Sequence, residues 1–372
     1  MKGAARKGDE ERRQEKDAVP EQAGIRTAEQ EDAVKQDKEL KIGKLDDTVY
    51  DRAIRKRLAA VWAHAEAEEI SRSLPLEGDD LNYVLRSVSR ISFSTARGLA
   101  GRLALLHAVD TLAAKGAYPR LAGVSIMLPM GTMESELRAL VDQLCDTAEE
   151  EEVQIAQVRT EITRAVNTPL VETVCLGDPT DEKHEKISAE DIPGFHLILT
   201  RWIGLEGTAV LGIRRREELL ERFPALFVET AAEAIHHLSV RKDARLINAF
   251  SDRCAMVALG EGGLYAALWY MANLWQCGLT VNWERVPIRQ ETVEICNFYD
   301  LDPCCMWSTG SLLAAVPEDG VAEVLAALRR QDIPASDIGV LTRGRDRVIR
   351  HDGEERFLDR PQPDALLRFE DL

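Results

Sequence analysis

The sequence contains no apolar run near the length of about 18 residues that a membrane helix requires. Its first residues are charged and polar, with no apolar stretch of the kind a signal peptide carries, so the cytoplasm is the expected location. Positive charge is in deficit: 47 Lys and Arg face 64 Asp and Glu, for a net charge of −17. Binding a phosphate backbone or an anionic bilayer depends on cationic side chains, so this balance excludes nucleic acid and membrane as partners. The seven cysteines, at 145, 175, 254, 277, 296, 304 and 305, form no CxxC pair and no Cys/His cluster of zinc spacing. They read as core-filling thiols of a reducing compartment. The adjacent pair Cys304-Cys305 reads as buried or half-buried thiols beside a turn rather than a redox site. No close internal repeat or heptad run is present.

What is there is ordinary globular composition, 45% hydrophobic and 30% charged over 372 residues, enough for two domains. Residues 1–40 stand apart, with twenty charged side chains, no aromatic and no continuous apolar face. Such a segment cannot bury enough surface to offset its ordering entropy, so it is expected to be a disordered charged tail. Beyond it, residues 41–180 and 190–350 form two expected domains, separated by the Asp-, Lys-, Glu- and Pro-rich stretch 177–194, with 351–372 as a C-terminal tail.

Periodicity gives an α/β order. Residues 47–67 are helix-prone, 82–94 read as a strand, and 101–115 as a helix stopped by Gly116. Residues 123–128 form an apolar strand. Met133, Leu137, Leu140, Val141, Leu144 and Ala148 then fall at helical spacing behind Thr132 as N-cap. Strands follow at 154–159 and 170–176. In the second half, 195–200 is a strand, 202–208 a glycine-flanked loop and 215–237 helical. Leu264, Ala267, Leu268, Met271 and Trp275 mark a helix face with Gly278 as its C′ residue. Leu279, Val281 and Trp283 alternate as a strand, 312–316 is a continuous apolar strand, Val321 to Leu328 a helix stripe and 338–341 a closing strand. These stripes are core faces.

Several segments, in order, resemble the AIR synthase superfamily, which includes PurM, HypE and thiamine-monophosphate kinase, and most closely its HypE-like branch. They are Lys41-Ile42-Gly43-Lys44-Leu45, Asp110-Thr111-Leu112-Ala113-Ala114-Lys115-Gly116-Ala117-Tyr118-Pro119 and Trp202-Ile203-Gly204-Leu205-Glu206-Gly207-Thr208. Further matches are Gly260-Glu261-Gly262-Gly263, Val286-Pro287-Ile288-Arg289 and Ser308-Thr309-Gly310. The resemblance implies a PurM-like architecture: an N-terminal domain of ATP-binding type and a C-terminal α/β domain with a glycine-rich loop, with helices packed to one side of each sheet. It also implies a homodimer through the N-terminal sheets, and ATP and Mg2+ as cofactors.

Carried over position by position, the resemblance implies Asp80, Asp110 and Glu161 as metal ligands, because hard cations take carboxylate oxygen. Gly43, Arg97, Arg159, Gly262 and Gly263 are implied at the nucleotide. Each has a plainer reading. Asp80 and Glu161 can be ordinary polar loop and strand residues, and Gly262-Gly263 can serve a tight turn into a helix. Asp110, in a helix of small and apolar residues, is an expensive carboxylate to bury without purpose. His107 reads as a satisfied core histidine.

The sequence also departs from the pattern. Ser94-Thr95-Ala96-Arg97 stands where the family has Ser/Thr-Asp-Pro, Gln157-Val158-Arg159 where it has Gly-Gly-His, and Ala258 where an Asp precedes the loop. Arg97 and Arg159 fall at former phosphate-side positions and can supply fixed positive charge where magnesium stood. HypE works through a cysteine at its extreme C-terminus, and the sequence here closes on Arg368-Phe369-Glu370-Asp371-Leu372. Two functions follow as expectations: a divergent HypE-like, ATP-dependent role in metabolism or hydrogenase maturation with a weakened active site, or a catalytically inactive dimeric scaffold of the same family.

Overall fold

Two sheets share one helix as a common wall in the computed structural model, which describes residues 39–40, 43–44, 49, 51–61, 88–94, 96, 98–179, 187–250 and 253–369. The first half contributes β1 (Gly43–Lys44), α1 (Lys56–Val61), β2 (Val88–Ser94), α2 (Ala100–Ala113), β3 (Ala117–Leu128), α3 (Glu134–Glu150), β4 (Gln154–Ile162) and β5 (Leu170–Pro179). Its five strands lie in the order β1-β4-β3-β5-β2. Strands β3 and β4 are parallel and joined across α3, whereas the other neighbours are antiparallel.

Burial alternates along this sheet as the pleat requires. Val124, Ile126, Ile155, Val158, Val171 and Cys175 pack with α2 and α3 in one apolar core. The opposite face carries Ser125, Met127, Arg159, Glu161, Glu172 and Val174, and none of these is buried. Only one side of the first sheet is therefore covered by helices among the described residues.

The second half contributes β6 (His196–Thr200), α4 (Leu205–Arg214), α5 (Arg216–Leu220), α6 (Ala225–Glu233), α7 (Arg241–Phe250), β7 (Ala255–Ala258) and α8 (Gly263–Trp275). It continues with β8 (Gly278–Asn282), α9 (Gln290–Tyr299), β9 (Leu312–Val316), α10 (Glu318–Arg330), β10 (Ala335–Thr342), β11 (Arg347–His351) and β12 (Glu354–Phe357). The seven strands run β12-β11-β8-β10-β6-β9-β7. Helices cover both faces here, unlike the one-sided packing expected from the sequence. Leu197, Leu199, Leu313 and Ala315 meet α8, while Ile198, Leu312, Ala314 and Val316 meet α7 and α10. Double coverage explains why all five residues of β9 are buried.

Helix α2 is the wall between the halves. Ala104, Leu105, Ala108, Val109 and Leu112 pack into the first core, whereas Leu103 and Leu106 pack with Leu205, Ala209, Val210 and Leu238 of the second half. A helix packed between two cores is apolar nearly all round, which its sequence satisfies apart from Arg102, His107, Asp110 and the exposed Thr111. Small residues let α3 approach closely: a Cβ on Gly101 would lie 2.5 Å from the Leu140 carbonyl oxygen.

Several boundaries differ from the sequence expectation. Strand β3 begins at Ala117 because β5 pairs with it from there onward. Helix α3 starts at Glu134, with Glu136 accepting the Met133 N–H at 2.7 Å, while Thr132 bonds the Pro129 carbonyl instead of capping. Gln276, at φ +52°, ends α8, and Gly278 opens β8, where a Cβ would strike the Asp346 carbonyl. Residues 202–208 are only partly loop, since α4 begins at Leu205. The segment expected as a C-terminal tail supplies β12, and Leu358, Asp364 and Leu366 are buried. Residues 1–38 and 62–87, including the expected charged tail and Asp80, lie outside the described residues. No helix among the described residues is long and apolar enough to cross a membrane.

Gly101→Ala is expected to destabilise the protein by about 1–3 kcal/mol, because backbone rather than a flexible side chain meets the added methyl. Urea denaturation followed by circular dichroism measures it.

Candidate functional site

The turn Gly260–Gly263 between β7 and α8 is fixed from several sides. The Gly260 carbonyl accepts the N–H groups of Gly263 and Ser308, both at 3.1 Å. Gly262 and Gly263 take φ of +76° and +62°, and a Cβ on Gly263 would stand 2.4 Å from the Cys304 carbonyl oxygen. Glycine is required here by handedness and by contact, whatever ligand the loop meets. The Gly262 N–H is itself donated to Asp364 Oδ2 at 2.7 Å.

Between this loop and the end of α2 lies a cavity of about 550 Å3. Thr111 and Lys115 line one side, Gly260 and Glu261 the loop side, and Met256 and Tyr270 part of the remainder. Lys115 Nζ stands 5.5 Å from the Tyr270 ring centroid. The cleft thus offers a cation, a carboxylate, a hydroxyl, an aromatic face and an apolar floor, a mixture suited to a small planar polar ligand.

The polar residues of α2 reach across to the second half. His107 Nε2 lies 2.9 Å from Glu206 Oε1. Burial lowers the affinity of His107 for a proton, but Glu206 more than reverses this, so the imidazole pKa is raised. Burial pushes the Glu206 carboxyl up, but the charge and hydrogen bond of His107, with help from Thr309, leave it below its ordinary value. The two form a buried ion pair between α2 and α4. Arg102 donates to the Ile235 carbonyl at 3.0 Å and to Glu150 at 2.7 Å.

Asp110 is 1% exposed, and its Oδ1 accepts the Val240 N–H at 2.9 Å, just ahead of α7. Burial, and then the nearby Glu151 carboxylate, raise its pKa well above the ordinary value; the Val240 bond and Arg201 oppose this only in part. Around it Arg201 grips Asp243 in a fork at 2.9 and 3.0 Å, and Ser239 donates to Glu151 at 2.9 Å. Asp110 belongs to a buried seam between the halves.

The sequence-derived site residues therefore divide. Gly43, Arg159 and Glu161 come together along β1 and β4, where Lys44 pairs with Glu161 and Gly43 with Ile162. Arg159 Nη2 and Glu161 Oε2 are 3.1 Å apart, on the uncovered face of the first sheet. Asp110 lies on the helix that covers the other face, so the structure does not bring Asp110 and Glu161 together. Gly262 and Gly263 belong to the turn beside the cleft, and Asp80 and Arg97 lie outside the described residues. Asp110 Oδ1 accepts the Val240 amide while its Oδ2 is buried without a partner, and Glu161 pairs with Arg159 at the surface. Among the described residues only Glu284, His351 and Asp352 gather three potential ligand atoms, and all three residues are exposed.

Sequence reasoning missed Asp364 and gave Glu206 no role. An Asp leading Ala365–Arg368 was a legible helix-cap signal, since its Oδ1 accepts the Leu366 N–H at 2.9 Å. That it also reaches Gly262, 102 residues away, was not. Cys304 is buried and Cys305 half-buried as expected, and burial followed by Asp302 pushes the Cys305 thiol up to about 12, far from a reactive thiolate.

The seam has a pH signature. The native Asp110 carboxyl binds its proton more tightly than in the unfolded chain, so stability falls as pH rises from the ordinary 3.8 through the native value. Asp110→Asn keeps an acceptor for Val240 and is expected to lose this pH dependence while remaining at least as stable at pH 7.5. Asp110→Ala leaves the amide unbonded and is expected to lose about 1–3 kcal/mol. Urea melts between pH 4.5 and 8 compare the three.

Residues 193–352 match the family described as AIR synthase related protein, C-terminal domain. Carbamoyl dehydratase HypE of Rhodobacter capsulatus is 30% identical over 262 residues, covering 70% of this chain and 73% of that protein. The crystal structure of Escherichia coli HypE superposes with a TM-score of 0.71 at 19% identity, covering 86% of this chain and 99% of that one. A structure of HypE in complex with ATP gives a TM-score of 0.66 at 19% identity, covering 85% and 94%. With that extent of shared sequence and a common two-sheet fold, the chain belongs to the AIR synthase-related superfamily, in the branch of the hydrogenase-maturation protein HypE.

Proposed function

We propose that the protein is a nucleotide-binding member of the HypE-like hydrogenase-maturation branch that holds ATP in the cleft between α2 and the glycine turn without catalysing metal-dependent transfer. The observation that carries this reading is Asp110, the one carboxylate of α2 and the neighbour of cleft-lining Thr111, whose Oδ1 is bonded to the Val240 amide inside the interhalf seam. Lys115 and Thr111 line the cleft and supply a cation and a hydroxyl for phosphate oxygens, with Tyr270 a surface for the base. Phosphoryl chemistry needs metal and pre-placed charge, and Asp110 and Glu161, the described carboxylates that the family resemblance assigns to the metal, lie on opposite sides of the first sheet.

A catalytic reading has one observation in its favour. The His107–Glu206 pair, buried beside the glycine turn, is a ready proton donor and acceptor for an ATP-dependent dehydration.

ATP is expected to raise the melting temperature equally with magnesium and with EDTA, because a ligand bound to the native state adds to its stability. Phosphate release is expected to stay at background. Stabilisation that requires magnesium, or magnesium-dependent turnover, overturns the reading in favour of the catalytic one. Lys115→Ala is expected to weaken ATP binding about tenfold by calorimetry, the value of a charge-assisted hydrogen bond of about 1.5 kcal/mol.

The homodimer is part of the same proposal. The face of the first sheet that no described helix covers, with Met127 and Val174 flanked by Arg159, Glu161 and Glu172, is its interface. On that face a buried charge without a partner is costly. Val174→Glu is accordingly expected to turn a dimer into a folded monomer in light scattering; a wild-type monomer refutes the assignment.

A further inference from the structure

Outside the cleft and the seam, a cluster of metal-ligating side chains stands where β8 and β11 leave the second sheet. These two strands are parallel, and Arg350 lies beside Asn282 in register, so the residues that follow, His351 and Trp283, emerge side by side. Their rings meet edge-on with centroids 6.2 Å apart. Glu284 comes next on the 283–285 turn, whose entry is fixed by Asn282 Oδ1 accepting the Glu284 N–H at 3.1 Å. Asp352 and Gly353 form the two-residue turn between β11 and β12, at φ of +50° and +81°. Glu284 Oε1 accepts the Asp352 N–H at 2.7 Å, which ties the two turns together.

One imidazole nitrogen and one oxygen from each carboxylate all lie within 4.8 Å of one another. His351 Nδ1 stands 3.5 Å from Glu284 Oε1, and Nε2 stands 3.7 Å from Asp352 Oδ2. Both separations are long for hydrogen bonds between nitrogen and oxygen, which favour about 2.9–3.0 Å. They suit ligands that share one tetrahedral ion, which stand about 3.4 Å apart when the metal bonds are about 2.1 Å. Being exposed, the three side chains need only turn at their ends to close on it.

Electrostatics points the same way. The Asp352 N–H, and then its own backbone N–H, hold the Glu284 carboxyl below its ordinary value, so the oxygens it presents are charged. The arginines that flank the cluster in sequence are engaged elsewhere: Arg285 lies 3.8 Å from Asp337 and Arg350 pairs with Glu355 at 2.8 Å. Among the described residues no lysine or arginine pairs with Glu284 or Asp352, so a bound cation is what would relieve the repulsion between them.

We propose that Glu284, His351 and Asp352 form a surface site for a divalent transition-metal ion of the zinc class, held by one nitrogen and two carboxylate oxygens. The nitrogen donor favours such an ion over magnesium or calcium, which prefer oxygen alone. Three protein ligands leave a coordination position open to water or to a group from another molecule. The ion would also clamp the β11–β12 turn to the 283–285 turn. The site shares no residue with the cleft and does not rest on the nucleotide reading above.

Calorimetry of the tag-free, metal-stripped full chain at pH 7.5 with Zn2+ as probe tests this. The wild type is expected to bind one equivalent that His351→Ala, Glu284→Gln and Asp352→Asn each weaken by about tenfold or more. Zinc is expected to raise the melting temperature of the wild type but not of the variants, whose metal-free melting temperatures stay at the wild-type value because the substituted side chains are exposed. Glu284→Gln keeps an acceptor for the Asp352 N–H, and Asn accepts the positive φ of position 352, so a loss of zinc in these two is not a loss of the turns. Co2+ in place of zinc is expected to give visible absorption without the near-ultraviolet band of a thiolate ligand, which separates this site from the cysteines. No binding by the wild type, binding unchanged in the variants, a thiolate band, or displacement of zinc by an equal concentration of Mg2+ overturns the assignment.

Discussion

The structure depends on burying α2 between the two halves. A helix enclosed by a sheet on one flank and by α4 and α7 on the other leaves Thr111 at the cleft, while three of its polar side chains find partners across the boundary. Arg102 finds the Ile235 carbonyl, His107 finds Glu206 and Asp110 finds the Val240 amide. A buried polar group left unpaired costs more than a made bond gains, which makes these contacts specific rather than merely adhesive. They set how the two halves meet, and the cleft beside the end of α2 is a consequence.

The same requirement governs the chemistry that is possible there. The Asp110 carboxyl, which the family resemblance assigns to a cation, is drawn into the seam, where burial and Glu151 favour its neutral form. The glycine turn shows the parallel effect: its amides are used within the chain, by the Gly260 carbonyl and by Asp364. Loops that recognise anions expose amides, and an exposed amide is as open to the protein's own carboxylates as to a ligand. In this chain the fold shares its PurM-like frame with HypE while internal contacts occupy groups that the family resemblance assigned to ligand.

Much of the fold was legible because burial writes itself into spacing. The apolar stripes of α3, α8 and α10 and the unbroken run of β9 match cores on the page. Boundaries were less legible where long-range pairing overrides local preference. Strand β3 extends through Pro119 because β5 pairs along it, and Gly278 opens a strand because Asp346 crowds the position where a Cβ would stand. The hairpin β11–β12 escaped notice since its outer strand is exposed and carries little apolar signal.

By itself the sequence determined the α/β class, the order of motifs, the family and the need for glycine at the turn, since these depend on residue type and on neighbours close in the chain. Tertiary structure alone decided which acids meet. Asp110 is one residue from Thr111, which lines the cleft, yet its carboxyl points to an amide 130 positions away. One helical step rotates a side chain by about 100°, so adjacent residues face different surroundings. What those surroundings contain is fixed by how the halves pack. The spacing of carboxylates in the chain could therefore suggest a metal site, and only the packing could show that Asp110 and Glu161 lie on opposite sides of one sheet.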